Sequence, residues 1–329
     1  MSCLQIVVYH YYLTIGLPVG WYVAVQRAIG AVDGVGIFFA LSGFLIGGIL
    51  LDHARAPNQL QVFYVRRFFR IMPVYWILLL SFVVVRWADN HWRFGLIQFL
   101  DADVPLWHYL VFTQNNTTNL GALWLVVTWS LAVEEQFYLV FPCLVRFLSR
   151  RTLVYGAVAS LAVCPLLRAQ DPWADRLLLG SADRLMAGVL VALAVRDEWW
   201  NAWLRRNRTV LGFGLLVFLV ATIGLAAGFN ISTSRFNLMV PASGVLIYFI
   251  ATESDRSPLG RCLKIAAPVG LGSYFIYLFH LPVAYVLSLW FQYPRTGTVS
   301  FAVVAFLAWL SYRLVEFPLI SLGRKFRYQ

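Results

Sequence analysis

Apolar residues fill the chain in long runs, broken by short polar connections that carry most of the arginines. A bilayer crossing needs about 20 apolar residues. On that basis the pattern predicts ten spans, at 4–23, 34–51, 72–88, 124–145, 152–167, 181–195, 209–228, 236–251, 268–290 and 298–317. The first run has no basic segment ahead of it and carries His10 among three tyrosines, so it reads as a retained span rather than a secretory signal. Neither an internal repeat nor a Pro- or Ser-rich linker interrupts the pattern, and one domain over 1–329 is expected. The fold class expected is an all-α integral membrane protein of about ten transmembrane helices.

Composition agrees with the pattern. Of the 329 residues 60% are hydrophobic and 12% charged, and the mean hydropathy is +0.72, where a soluble protein carries about 25% charged residues. Soluble, collagen-like, disordered and nucleic-acid-binding classes are excluded on these grounds. The net charge of +11 comes from 26 basic residues, 24 of them Arg, spread between apolar segments rather than gathered in one block. With the N-terminus placed in the cytoplasm, 17 of the 26 fall in cytoplasmic segments, which predicts that both termini are cytoplasmic. Tryptophans near the span ends suit interfacial belts. The four cysteines form no CxxC pair, so neither a disulfide framework nor a metal site is indicated. In the longest outer connection, 89–122, the stretch 113–119 is rich in Asn and Thr and reads either as an acceptor site or as a solvated loop.

Ionisable groups inside apolar runs need a reason, since a charge at the bilayer centre costs about 2.5–3.5 kcal/mol on an insertion scale. Glu134 and Glu135 lie in such a run. Helical spacing puts Ser130, Glu134 and Tyr138 on one face and turns Glu135 about 100° away. Glu134 is therefore the candidate for an inward site, against the alternative of a buried carboxylate holding helices together. His10 is either a general base or an interhelical hydrogen-bonding group. His280, in a Leu-Phe-His-Leu-Pro setting, is a weaker signal of the same kind. Arg67 and Arg70, three apart after Arg66, either clamp phosphate oxygens or supply ordinary cytoplasmic charge.

Taken in order, several segments resemble the acyltransferase-3 family of membrane-bound acyltransferases. They are the Gly-Val-Gly-Ile-Phe-Phe-Ala-Leu-Ser-Gly-Phe-Leu-Ile run of 34–46, which contains Ser42, the Arg-x-x-Arg of Arg67 and Arg70, and Trp129 to Tyr138 with Ser130 and Glu134. Asp183 to Gly188, the 273–282 run around His280, and Tyr312 to Pro318 around Glu316 match more weakly. The resemblance implies an acyl-CoA donor, usually acetyl-CoA, on the cytoplasmic side. It also implies a carbohydrate, glycolipid or other surface or secreted acceptor whose hydroxyl is acylated, and an inner (plasma) membrane location with the lipid bilayer as partner. Carried over, His10 and Glu134 are the catalytic candidates and Arg67 and Arg70 hold the CoA. Ser42, Arg66, Ser130, Tyr138, Asp183, His280 and Glu316 support them. Glu134 would orient or charge the histidine or bind the acceptor, and transfer is either direct or through an acyl-enzyme. No metal is implied. The competing reading is a proton-coupled secondary transporter with Glu134 and His10 as relay, and a third is an inactive membrane scaffold.

Two departures stand out. The resemblance implies an arginine eleven residues before the first-span histidine, which from His10 falls two residues ahead of Met1, so a start upstream is expected. Ser181 stands where an arginine precedes the position of Asp183, and Arg184 or Arg176 is expected to compensate. The resemblance is to the membrane domain alone, without the extracytoplasmic hydrolase-like domain that some members append. A two-step relay would therefore draw on a separate extracytoplasmic transferase.

Overall fold

The computed structural model describes residues 2–15, 33–101, 103–117, 119, 121–228, 239–253, 257, 260, 261, 264, 270–291 and 295–329. Every regular element among them is helical. The main ones are α1 (Ser2–Ile15), α2 (Gly34–Asp52), α3 (Gln59–Trp92), α4 (Thr128–Phe147), α5 (Arg150–Gln170) and α6 (Leu178–Ala194). They continue with α7 (Glu198–Arg206), α8 (Arg208–Gly228), α9 (Met239–Thr252), α10 (Ser273–Leu287), α11 (Arg295–Ser311) and α12 (Phe317–Gly323). Local chemistry marks their ends. The side chains of Asp33, Ser149 and Asp197 accept backbone N–H bonds at the starts of α2, α5 and α7, and Arg93 closes α3 in the left-handed region with φ of 53°.

Among the described residues four helices are long and apolar enough to cross a membrane: Gly34–Asp52, Gln59–Trp92, Arg150–Gln170 and the continuous Thr296–Gly323. A fifth arises if α6 and α7, bent by 99°, count as one span. The predicted spans near 209–228, 236–251 and 268–290 coincide with shorter apolar helices, while 16–23, 236–238 and 268–269 lie outside the described residues. So do Arg27, Arg235 and Arg256. The third span differs from expectation. Its helix begins at Gln59 rather than near 72 and runs 34 residues, about 51 Å at 1.5 Å per residue, well beyond a hydrocarbon core of about 30 Å. Arg66, Arg67 and Arg70 thus sit within this helix, ahead of the predicted span. In α7 the exposed Trp199, Trp200 and Trp203 sit beside Arg205 and Arg206, the pattern of a helix lying along the interface.

The tightest helix pair is α2 against α6. A Cβ at Gly43 would collide with the Leu185 carbonyl oxygen, and one at Gly188 with that of Ala40. Small residues here let the backbones touch, which in lipid substitutes for a hydrophobic driving force. One continuous core joins α2, α3, α4, α6 and α10.

Polar contacts collect at the two ends of the bundle. At one end Arg196 makes a bidentate pair with Asp52 at 2.7 Å, Arg146 donates to the Ala54 carbonyl, and Asn58 donates to the Arg327 carbonyl. At the other, Arg184 pairs with Asp33 at 3.1 Å and Asp175 at 2.6 Å, and Asn115 donates to the Arg176 carbonyl. Segments that the charge pattern assigned to one side thus meet at one end.

The outer connection is structured over its described residues. It contains short helices at Ile97–Leu100 and Leu106–Leu110 and 3-10 turns at Gln114–Asn116 and Leu123–Leu125. Buried Asp89 accepts the Leu96 N–H, and Gln114 and Asn115 are also buried, so 113–119 is not simply a solvated loop.

Candidate active site

Two histidines 270 residues apart meet between α1 and α10. His10 Nδ1 lies 2.8 Å from His280 Nε2, with the rings stacked at 5.1 Å between centroids. His280 is fully buried, and its Nδ1 lies 2.7 Å from the Tyr277 carbonyl oxygen. A carbonyl only accepts, so His280 Nδ1 carries the proton and, in the neutral ring, Nε2 is an acceptor. His10 Nδ1 is then the donor, and the lone pair of neutral His10 resides on Nε2, the nitrogen a general base needs. Tyr11 pins the arrangement by donating to the His280 carbonyl at 3.1 Å.

Across α4 the predicted face is formed. The Ser42 hydroxyl of α2 donates a short bond to Glu134 Oε1, and Tyr138 donates to the same oxygen at 3.2 Å. One turn earlier, Ser130 and Tyr277 hydroxyls are 2.6 Å apart, and Tyr277 donates to the Val127 carbonyl. Tyr277 belongs to the helix that carries His280. The side chains of Glu134 and Ser130 therefore form successive rungs of a polar track running through apolar packing toward the histidine pair. Glu135 faces away, its Oε1 buried with no hydrogen-bond partner among the described residues. His10 Nδ1 thus donates to His280 Nε2, while Glu134 Oε1 accepts from Ser42 and Tyr138.

The three arginines of α3 divide. Arg66 donates to the Phe326 carbonyl at 2.9 and 2.6 Å and lies over the Tyr328 ring, so it holds the C-terminal residues. Arg67 lies over the Tyr138 ring at 4.6 Å, at the end of the track. Arg70 is within electrostatic reach of Glu134 and Glu316. Neither Arg67 nor Arg70 has a carboxylate within 4.0 Å among the described residues. Glu316 is buried at the end of a π-helical turn, Tyr312–Glu316, and accepts from Ser311 at 3.1 Å. Such turns often mark functional sites.

At the opposite end, Asp183 is gripped by Arg168 through bonds of 2.9 and 2.6 Å, both side chains about 1% exposed. The guanidinium paired with Asp183 is therefore that of Arg168. Arg184 is occupied by Ser181, Asp175 and Asp33. Burial pushes the Asp175 carboxyl above its ordinary value, against the pull of Arg184. Among the described residues no three His, Cys, Asp or Glu side chains converge as a metal site.

The family model for an acyltransferase domain, acyltransferase-3, matches residues 1–313. The chain belongs to the acyltransferase-3 family. It is 25% identical over 331 residues to O-acetyltransferase OatA of Staphylococcus aureus (strain NCTC 8325 / PS 47), covering 91% of this chain and 54% of OatA. It is 26% identical over 331 residues to peptidoglycan O-acetyltransferase OatA of Listeria monocytogenes, covering 90% and 52%. A membrane-bound transacylase, BcsY of Komagataeibacter xylinus, is 26% identical over 309 residues, covering 87% and 76%. The chain spans about half the length of the OatA relatives. No solved structure matches it.

For a member of this family, the features that sequence reasoning missed are pairings rather than residues. His280, a supporting residue by resemblance, is the group bonded to His10 Nδ1. Arg168 lies in the last turn of an apolar helix, and that position is its one sequence signal.

Proposed function

We propose that the protein is a multi-pass O-acyltransferase that moves an acetyl group from cytoplasmic acetyl-CoA to a carbohydrate hydroxyl presented at or across the membrane. In this reading ten spans place both termini in the cytoplasm of an inner (plasma) membrane protein. The end bearing Arg67 and Arg70 is the cytoplasmic one, as the excess of arginine there requires. These two guanidinium groups bind phosphate oxygens of CoA, for which uncommitted arginine forks are suited. His10 Nε2 takes the proton of the acceptor hydroxyl as its oxygen attacks the thioester carbonyl. The C–S bond breaks, the acetyl group forms an ester with the acceptor, and the thiolate of CoA leaves and is reprotonated. His280 holds His10 in the required tautomer. Ser42, Glu134, Tyr138, Ser130 and Tyr277 line the route between donor and base, with Glu316 beside Arg70.

The observation that carries the reading is the His10–His280 pair, whose hydrogen bonding leaves the basic lone pair on His10 Nε2. Family membership favours transfer over transport. Proteoliposomes with radiolabelled acetyl-CoA supplied to one face at a time test it. Label should reach a glycan acceptor only when acetyl-CoA meets the face bearing Arg67 and Arg70. Acceptor-independent substrate uptake without acetyl-CoA would instead establish a transporter.

A further inference from the structure

At the end of the bundle where Asn58 meets the C-terminal residues, one helix turns out of line. α6 runs the length of the span α2: Asp33 at the start of α2 pairs with Arg184 of α6, and Asp52 at its end pairs with Arg196, just past the end of α6. α7 then leaves α6 at 99°. A helix at a right angle to a span, placed at that span's end, lies in the plane of the bilayer surface. Ion pairs hold it there from both sides. Arg196 ties its entry to Asp52 at 2.7 Å, and Arg208 beyond its exit pairs with Glu253 and donates to Thr252 Oγ1 at 3.2 Å.

α7 itself has little protein around it. None of its nine residues is buried, although a helix that short is marginal in water without packing. Helical spacing gathers the exposed Trp199, Trp200 and Trp203 within an arc of about 100°. Glu198, Asn201 and Arg205 fall on the opposite side, and Arg206 lies at the edge of the tryptophan arc. Asp197 is used as the cap, accepting the Trp200 N–H at 3.1 Å. Arg205 donates to Asn201 Oδ1 at 3.2 Å, and neither Arg205 nor Arg206 has a carboxylate within 4.0 Å among the described residues. Asp52 offsets Arg196 and Glu253 offsets Arg208, so the positive charge left over is concentrated in the last turn of α7.

We propose that α7 is a docking site for anionic phospholipid in the leaflet at this end of the bundle. Its tryptophan face seats at the boundary between headgroups and acyl chains, a level at which tryptophan is enriched. Phosphate oxygens lie on the polar side of a helix held at that depth, where Arg205 and Arg206 bind them. Docking also supplies the packing that so short a helix lacks in water. A second copy of the chain is a poor occupant of this face, because with a net charge of +11 it brings like charge to a basic turn.

Hydrogen exchange of the full chain in nanodiscs reads α7 directly and requires no turnover. One set of discs is phosphatidylcholine alone, and the other contains about one-third phosphatidylglycerol. The amides of 199–206 should exchange at least about tenfold more slowly with phosphatidylglycerol present, since each arginine at an anionic surface is worth about fivefold. Raised salt should shrink the difference. Arg205→Gln with Arg206→Gln should abolish it, and Trp199→Ser with Trp203→Ser should speed exchange in both lipids. Amides of α2 are the control for an intact fold and should not change; if the tryptophan variant alters them, the arginine variant carries the test. Equal exchange of α7 in the two lipids, or a difference that the arginine variant retains, overturns the proposal. Protection that rises with the number of chains per disc overturns it as well, and assigns the face to a second copy.

Discussion

Replacing His280 by Phe keeps an aromatic ring in the α1–α10 contact but removes the acceptor for His10 Nδ1–H. That bond spans 2.8 Å between a half-buried and a fully buried ring. Leaving a buried donor unsatisfied costs about 1–3 kcal/mol. His10 escapes that penalty by shifting its proton to Nε2, but this is the tautomer that cannot act as base. If the same 1–3 kcal/mol must be spent to regain the active tautomer, kcat falls by about 5- to 160-fold. Loss of the base itself in His10→Ala removes about 10²- to 10⁴-fold. Steady-state acetyl transfer should therefore order the variants as unaltered chain, then His280→Phe, then His10→Ala, with the KM for acetyl-CoA unchanged throughout. His280→Gln presents an amide oxygen in place of Nε2 and should recover most of the rate, an outcome that a merely structural role for His280 does not produce. If His280→Phe were as inactive as His10→Ala and His280→Gln gave no recovery, the assignment of base and positioning residue would be wrong.

Other consequences are open to measurement. Arg67→Ala with Arg70→Ala removes charge-assisted bonds of about 1.5–3 kcal/mol each, so steady-state kinetics should show the KM for acetyl-CoA rising at least tenfold while kcat changes less; an unchanged KM would place CoA elsewhere. Asp183→Ala strands the buried Arg168 and should destabilise the protein by about 3–5 kcal/mol, whereas Arg168→Leu with Asp183→Leu should destabilise it much less; thermal unfolding in detergent separates the two, and equal losses would contradict the desolvation reasoning. Gly43→Ala drives a methyl group into the Leu185 carbonyl and should cost about 1–3 kcal/mol in the same assay, while Gly156→Ala, with open space around it, should not destabilise.

What the sequence made legible was local. Ser130, Glu134 and Tyr138 share a face because helical periodicity requires it, and connections that the charge pattern groups together meet at one end of the bundle. Hydropathy marks only the span and not the whole of α3: three arginines depress hydropathy, yet arginine is a good helix former, so the helix extends ahead of residue 72 to Gln59. The stretch 113–119 looked solvated or functional with nothing to choose between them, since the burial of Gln114 and Asn115 arises from contacts with α4 and the Arg176 turn. Pairings across the fold carry no signal in one chain. Nothing near His10 points 270 residues onward to His280, and nothing near Asp183 selects Arg168 over the adjacent Arg184.

The central claim is that His10 removes the acceptor proton during acetyl transfer, and a single-turnover measurement on the purified chain at saturating acetyl-CoA tests it most directly. The account predicts that His10→Ala binds acetyl-CoA as the unaltered chain does but transfers acetyl about 10²- to 10⁴-fold more slowly. Transfer by His10→Ala at the full single-turnover rate would contradict it.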